Sequence, residues 1–152
     1  GAKLVINDLS KEKLDNAIAE YAADGIEAHG YLFDVTKEDQ VIENIAKIAK
    51  EVGDVDILVN NAGIIKRIPA VEMSVADFQQ VLNIDLTGPF IMSKAVAPAM
   101  IKKGAGKIIN MCSMMSEVGR DTVSAYAAAK GGLKMLTRNL ATEWARVDAV
   151  KN

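Results

Sequence analysis

Three side chains in the second half of the sequence combine into a candidate proton-transfer set. Tyr126 and Lys130 are four residues apart, so on a helix they share one face. A phenol, with an ordinary pKa of about 10, is a poor base at neutral pH. An ammonium held beside it favours the phenolate and makes it a usable proton acceptor. Ser113 closes an apolar run thirteen positions before the tyrosine, where a hydroxyl can hold a substrate oxygen. By itself, the Tyr-x-x-x-Lys spacing equally describes an exposed helical pair. A second constellation points to nucleotide binding. Asn60-Asn61-Ala62-Gly63 directly follows a buried run, and small residues there let a backbone approach a ligand closely. Asp8 and Asp34 each close an apolar run; in a dinucleotide fold a carboxylate at a strand end accepts from ribose hydroxyls and repels a 2′-phosphate. Turns and polar strand ends account for each feature singly. Their joint order is what favours a dinucleotide site.

The elements that must position these residues are legible as alternating periods. Residues 3–8 (KLVIND) form a β-branched run ending on a polar pair, which predicts a buried strand. Ser10 is placed to cap a helix in which Leu14, Ile18 and Tyr21 recur at helical spacing, with Asp24-Gly25 as its stop. Residues 28–33 predict a second strand closed by Asp34. Thr36 to Asp39 approximates a capping box ahead of the stripe Val41, Ile45, Ile48 and Val52. Residues 55–59 (VDILV) predict a third strand. From Ser74 a helical stretch runs to about Lys103, with kinks expected at Gly88-Pro89 and Pro98. Residues 107–112 (KIINMC) predict a fourth strand, then a loop over 113–122 and a helix over about 123–146. Nearly all-apolar strands alternating with helices predict an α/β fold with a parallel sheet covered on both faces.

Half of the 152 residues are hydrophobic and a quarter are charged, enough for one domain with a real core. Lys and Arg number 18 against 20 Asp and Glu, a balance that argues against a nucleic-acid-binding surface. The single cysteine, Cys112, cannot form an internal disulfide. No apolar run approaches the roughly 18–20 residues that span a bilayer, and the first residues carry no leader pattern. These features predict a cytoplasmic protein that works on a small molecule, with no membrane, nucleic-acid or metal partner.

A strand, Asn-Asn-Ala-Gly, then Ser113, then Tyr126-x-x-x-Lys130, in that order, resembles the short-chain dehydrogenase/reductase family from Gly1 to about Trp144. Within it, IINMCSMMSEVGRDTVSAYAAAKGGLKMLTR is similar to the gluconate 5-dehydrogenase branch. The resemblance implies a Rossmann-like doubly wound sheet and an oxidoreductase that uses NAD or NADP. Its implied reaction moves a hydride between the nicotinamide and the C5 carbinol of a sugar acid, gluconate to 5-ketogluconate. It implies Tyr126 as catalytic base, Lys130 lowering the phenol pKa and binding the nicotinamide ribose, and Ser113 orienting the reacting oxygen. It further implies adenine-side contacts from Asp34 and Val35, cofactor contacts from Asn61, Ala62 and Gly63, and a homo-tetramer built on two long helices. Asp8 followed by Leu9, not by a basic residue, leans towards NAD. The alternatives are a reductase of another carbonyl, such as a 3-oxoacyl thioester or a ketosteroid, and an inactive piece that keeps only a helix interface.

Departures from the family pattern shape the expectation. The family's TGxxxGxG loop has no counterpart. The sheet is therefore expected to lack its first strand, which lies between the second and fourth in the order 3-2-1-4-5-6, as well as its last strands. Residues 1–152 then read as a partial dinucleotide-binding domain. The family's active-site Asn falls on Asp85, in Asp85-Leu86-Thr87-Gly88, and its role is carried to that residue. After Trp144 the likeness stops. Lys66 and Arg67 follow the Asn-Asn-Ala-Gly turn on the substrate side, where Arg67 would pair bidentately with a carboxylate; a solvated loop charge is the alternative. Glu117, Arg120 and Asp121 read either as polyol contacts or as plain loop residues. Met111, Cys112, Met114 and Met115 are expected to pack around a strand end. Trp144 and the small residues Ala125, Ala127, Ala128 and Ala129 suit close helix packing, including packing between subunits.

Overall fold

A computed structural model describes the backbone of residues 1–149 and the side chains of residues 1–145. The chain divides into two compact units, Gly1–Asp54 and Val55 onward. In the first, β1 (Leu4–Asp8) pairs in parallel with β2 (Ala28–Leu32), from Leu4 opposite Ala28 to Asp8 opposite Leu32. A parallel pair needs a crossover, and α1 (Lys11–Ala23) supplies it. As expected, the Ser10 side chain caps α1 by accepting from the Lys13 N–H, and Gly25 follows the helix with φ of 72°. β2 tolerates the close approach of α1 because Gly30 has no side chain; a Cβ there would lie 2.6 Å from Ile18 Cδ1. Leu14, Tyr31, Phe33, Val41 and Ile48 form the buried interior of this unit.

The helix α2 (Glu38–Glu51) departs from expectation at its start. Lys37 occupies the cap position, and its side chain makes no capping bond. The hydroxyl of Thr36 is spent elsewhere, since it and the Thr36 N–H both donate to Asp34 Oδ1, at 2.7 and 2.8 Å. A short polar side chain two residues upstream thus wins the competition with the helix end.

In the second unit, β3 (Ile57–Asn60) pairs in parallel with β4 (Lys107–Asn110). The crossover is the long predicted helical stretch, but it is interrupted. α3 (Val75–Leu82) passes into a π-helical segment, Asn83–Thr87, and then into α4 (Gly88–Lys103). After β4 come a 3-10 turn, Met114–Ser116, and α5 (Ser124–Ala149). β3 begins two residues later than predicted, and burial alternates along it: Leu58 and Asn60 are buried, whereas Ile57 and Val59 are more than half exposed. Ala125 and Ala129 of α5 are fully buried against Val81 of α3. That half of the small-residue face therefore packs within the chain and is not available to a second subunit; two alanines four apart let the helices approach closely.

The strands thus form two separate parallel pairs, β1–β2 and β3–β4, the two pairings expected of a Rossmann-like sheet without its first strand. Among the described residues no helix is long and apolar enough to cross a membrane.

At the end of α4, Gly104 is left-handed with φ of 72° and returns its N–H to Ile101. Gly104→Ala is expected to cost about 1 kcal/mol in urea denaturation and Gly104→Asn distinctly less, because Asn tolerates this conformation.

Candidate functional site

Helix α5 brings Tyr126 and Lys130 to one face, one turn apart. Lys130 is only 4% exposed, and a cation in that position needs partners. Its Nζ donates to the Met111 carbonyl at 2.9 Å, lies 3.4 Å from Asp85 Oδ2, and stands 5.5 Å from the centre of the Tyr126 ring. β4 ends at Asn110 and not at Cys112, opposite the end of β3 at Asn60; the Met111 N–H still donates to the Asn60 carbonyl at 3.1 Å, while the Met111 carbonyl serves Lys130.

Asp85 is fully buried on the π-helical segment. Pro89, four residues later, has no N–H to give to the Asp85 carbonyl. The ladder widens there, and Gly88 donates to Asn83, five residues back. The wide turn therefore lies ahead of Gly88-Pro89, not at it. Asp85 Oδ1 accepts the Ile64 N–H at 2.8 Å, while Oδ2 has no hydrogen-bond partner among the described residues. Gly63 allows this approach: a Cβ there would lie 3.0 Å from Oδ2. Burial pushes the Asp85 carboxyl above the usual carboxylate range, against the opposing pull of the Ile64 N–H and Lys130.

The ends of β3 and β4 carry a buried amide ladder that sequence reasoning missed. Asn60 and Asn110 are register partners. Asn60 Nδ2 donates to Asn110 Oδ1 at 2.8 Å and to Ser93 Oγ at 3.2 Å, and Asn110 Nδ2 donates to Thr137 Oγ1 at 2.8 Å. The ladder joins β3, β4, α4 and α5 beneath the site. An Asn closing each of two apolar runs, ILVN and KIIN, was the available signal.

Ser113 is half-buried and caps the 3-10 turn. Its Oγ accepts the Met115 N–H at 3.1 Å, and its N–H reaches Ser116 Oγ, which in turn donates to the Lys130 carbonyl at 3.0 Å. An open pocket of about 260 Å³ is lined by Asn61, Gly63, Ile64, Ile65, Asp85, Met111, Cys112, Tyr126 and Lys130. Asn61, Ala62 and Gly63 are exposed at the turn after β3. Met111, Cys112 and Met114 are exposed, so these three are not core residues. The chain leaves the strand at Asn110, and their side chains fall on the open side.

Two flanking loops are tied down. Lys66 pairs with Asp77 at the start of α3, and Lys66 and then Ser74 hold the Asp77 carboxyl below its ordinary range. Glu117 pairs with Lys134 of α5, which likewise lowers its carboxyl. Lys66 and Glu117 thus have partners within the chain. Arg67, Arg120 and Asp121 are exposed. The two loops meet where the Ile68 N–H donates to the Thr122 carbonyl at 2.9 Å, and Thr122 holds a left-handed φ of 62°. In the first unit, Asp8 Oδ1 accepts the Ser10 N–H and Asp34 Oδ1 accepts from Thr36, so the local turn takes one oxygen of each carboxylate. Val35, between Asp34 and Thr36, is half-buried.

A family profile described as short chain dehydrogenase matches residues 1–151. A 2-dehydro-3-deoxy-D-gluconate 5-dehydrogenase of Formosa agariphila is 60% identical over all of this chain and 58% of its own length. The crystal structure of 2-keto-3-deoxy-D-gluconate dehydrogenase from Streptococcus agalactiae is 62% identical, with a TM-score of 0.80 over 97% of this chain and 55% of that one. A gluconate 5-dehydrogenase from Burkholderia cenocepacia, crystallised with NADP and tartrate, is 41% identical with a TM-score of 0.90 over 97% of this chain and 58% of that one. The chain thus spans little more than half the length of the relatives it matches.

Because the folded state raises the Asp85 pKa, Asp85 contributes its full stability below the ordinary carboxylate range, about pH 4. That contribution is lost as pH rises through the raised folded-state value. Urea denaturation between about pH 4 and 8 should show the stability of Asp85→Asn climbing relative to the unsubstituted protein. A pH-independent difference would contradict the assignment.

Proposed function

Because the chain belongs to the short-chain dehydrogenase family, we propose that Tyr126, Lys130, Ser113 and Asp85 serve a nicotinamide-dependent dehydrogenase acting at the C5 carbinol of a six-carbon sugar acid. The observation that carries this reading is the shared pocket of Tyr126, Lys130 and Asp85 beside the exposed turn after β3. Lys130 has three N–H donors and gives one of them to the Met111 carbonyl. With the small residues Asn61, Ala62 and Gly63, it fits the ribose and nicotinamide end of such a cofactor. Asp8, Asp34 and Val35 are proposed for the adenosine end, in one dinucleotide-binding domain. When bound, the cofactor supplies the hydride acceptor or donor.

The residues divide the remaining work. Tyr126 takes the proton of the C5 hydroxyl during oxidation and returns it during reduction, with the Lys130 ammonium 5.5 Å from the centre of its ring. Ser113 Oγ already accepts the Met115 N–H, which leaves its own O–H to donate to the reacting oxygen. Arg67 is proposed to hold the substrate carboxylate, since its neighbour Lys66 is engaged by Asp77. The relatives at 60% and 62% identity favour 2-dehydro-3-deoxy-D-gluconate as substrate; the relative at 41% keeps gluconate as the second reading. The cofactor is NAD or NADP.

Turnover of both sugar acids with each cofactor, on the full-length protein, tests the reading. Tyr126→Phe should lower kcat at least about a hundredfold while cofactor affinity by calorimetry stays nearly intact; retained turnover removes Tyr126 from the reaction. Arg67→Ala should raise KM for the sugar acid about tenfold with little change in kcat, and should leave a neutral polyol unaffected. An equal effect on both compounds would argue against carboxylate recognition.

A further inference from the structure

Asp85 is a costly side chain where it stands. It is fully buried, its Oδ2 has no hydrogen-bond partner among the described residues, and only the missing side chain of Gly63 lets the backbone come this close to that oxygen. A neutral amide could also accept the Ile64 N–H, though less strongly. What the carboxylate adds is charge, and the group facing Oδ2 is the Lys130 ammonium at 3.4 Å. The other titratable groups on this pocket are Tyr126, on the same helix as Lys130, and Cys112, after β4; the turn after β3 presents the Ile64 N–H. Lys130 is thus held from two sides, by the Met111 carbonyl and by Asp85, with Tyr126 beside it.

We propose that Asp85 is a positioning residue that acts through Lys130. Ionised, it anchors the ammonium against the Met111 carbonyl and beside the Tyr126 ring; protonated, it releases that anchor, so proton transfer at Tyr126 is gated by a second ionisation on the acid side. This deepens the reading of Tyr126 as proton acceptor and rests on it. Burial moves the Asp85 carboxyl upward from the ordinary range, which brings the gate closer to neutral pH.

Two measurements on the full-length protein separate this proposal from the reading beneath it. The first needs no substrate: carbon-13 NMR titration of the Asp85 carboxyl, assigned with Asp85→Asn, in the unsubstituted protein and in Lys130→Met. The midpoint should rise by at least about one pH unit when the ammonium is removed, and an unmoved midpoint overturns the coupling. If Lys130→Met does not fold, Lys130→Gln serves the same comparison. The second is the pH profile of kcat. The unsubstituted protein should lose activity on the acid side with the midpoint seen by NMR. Asp85→Asn should lack that limb, lower the plateau of kcat about tenfold and leave KM for the sugar acid within about twofold. An acid limb that persists in Asp85→Asn overturns the gate. Absence of turnover with every sugar acid would instead overturn the proposed function, while the NMR titration still decides whether Asp85 and Lys130 are coupled.

Discussion

The second unit is organised around a buried ammonium. Taking a lysine out of water is unfavourable by several kcal/mol unless acceptors and an opposite charge receive it. Lys130 obtains these from two places far apart in sequence, the carbonyl of Met111 and the carboxylate of Asp85. Each partner constrains the chain that carries it. Met111 keeps its N–H on Asn60 of β3 but turns its carbonyl to the lysine, and Asp85 is buried on its segment. The pocket beside Tyr126 follows from meeting these demands together.

The crossover between β3 and β4 shows how one residue type supports that arrangement. A regular helix from Val75 to Lys103 would give the Asp85 carbonyl a donor at position 89, but that position is proline. The ladder shifts to the wider spacing over Asn83–Thr87, and Asp85 sits within the shift. Irregular turns of this kind inside helices occur frequently at functional sites. Beneath it, the Asn60–Asn110 ladder fixes the strand ends against α4 and α5 through directional bonds that apolar packing cannot supply. The loops above are held by the Lys66–Asp77 and Glu117–Lys134 pairs, which align segments more than they stabilise them, since exposed pairs contribute little.

Much of this was legible in local pattern. The order of strands and helices, the Ser10 cap, the Gly25 stop and the shared face of Tyr126 and Lys130 all depend on neighbours within a few residues, and the structure agrees with each. Two readings differ from the structure. Thr36 was expected to cap α2 but donates to Asp34; Met111, Cys112 and Met114 were expected in a core but are exposed. Ala125 and Ala129 were expected in close helix packing and are found in it, against Val81. The rival acceptor Asp34 and the end of β4 at Asn110 are both decided by contacts that residue type does not reveal.

The sequence by itself determined the class of fold, the parallel pairing of its strands, and which residue types stand at the strand ends and on the first turns of α5. These follow from hydrophobic period, cap chemistry and helical spacing, which are properties of short stretches. Only the tertiary structure decided that Asp85 would lose all contact with water, that Gly63 and Ile64 would close over it, and that Lys130 would face it. Burial and electrostatic coupling arise between segments separated by tens of residues. No local pattern encodes the desolvation that a carboxylate meets when three such segments converge on it.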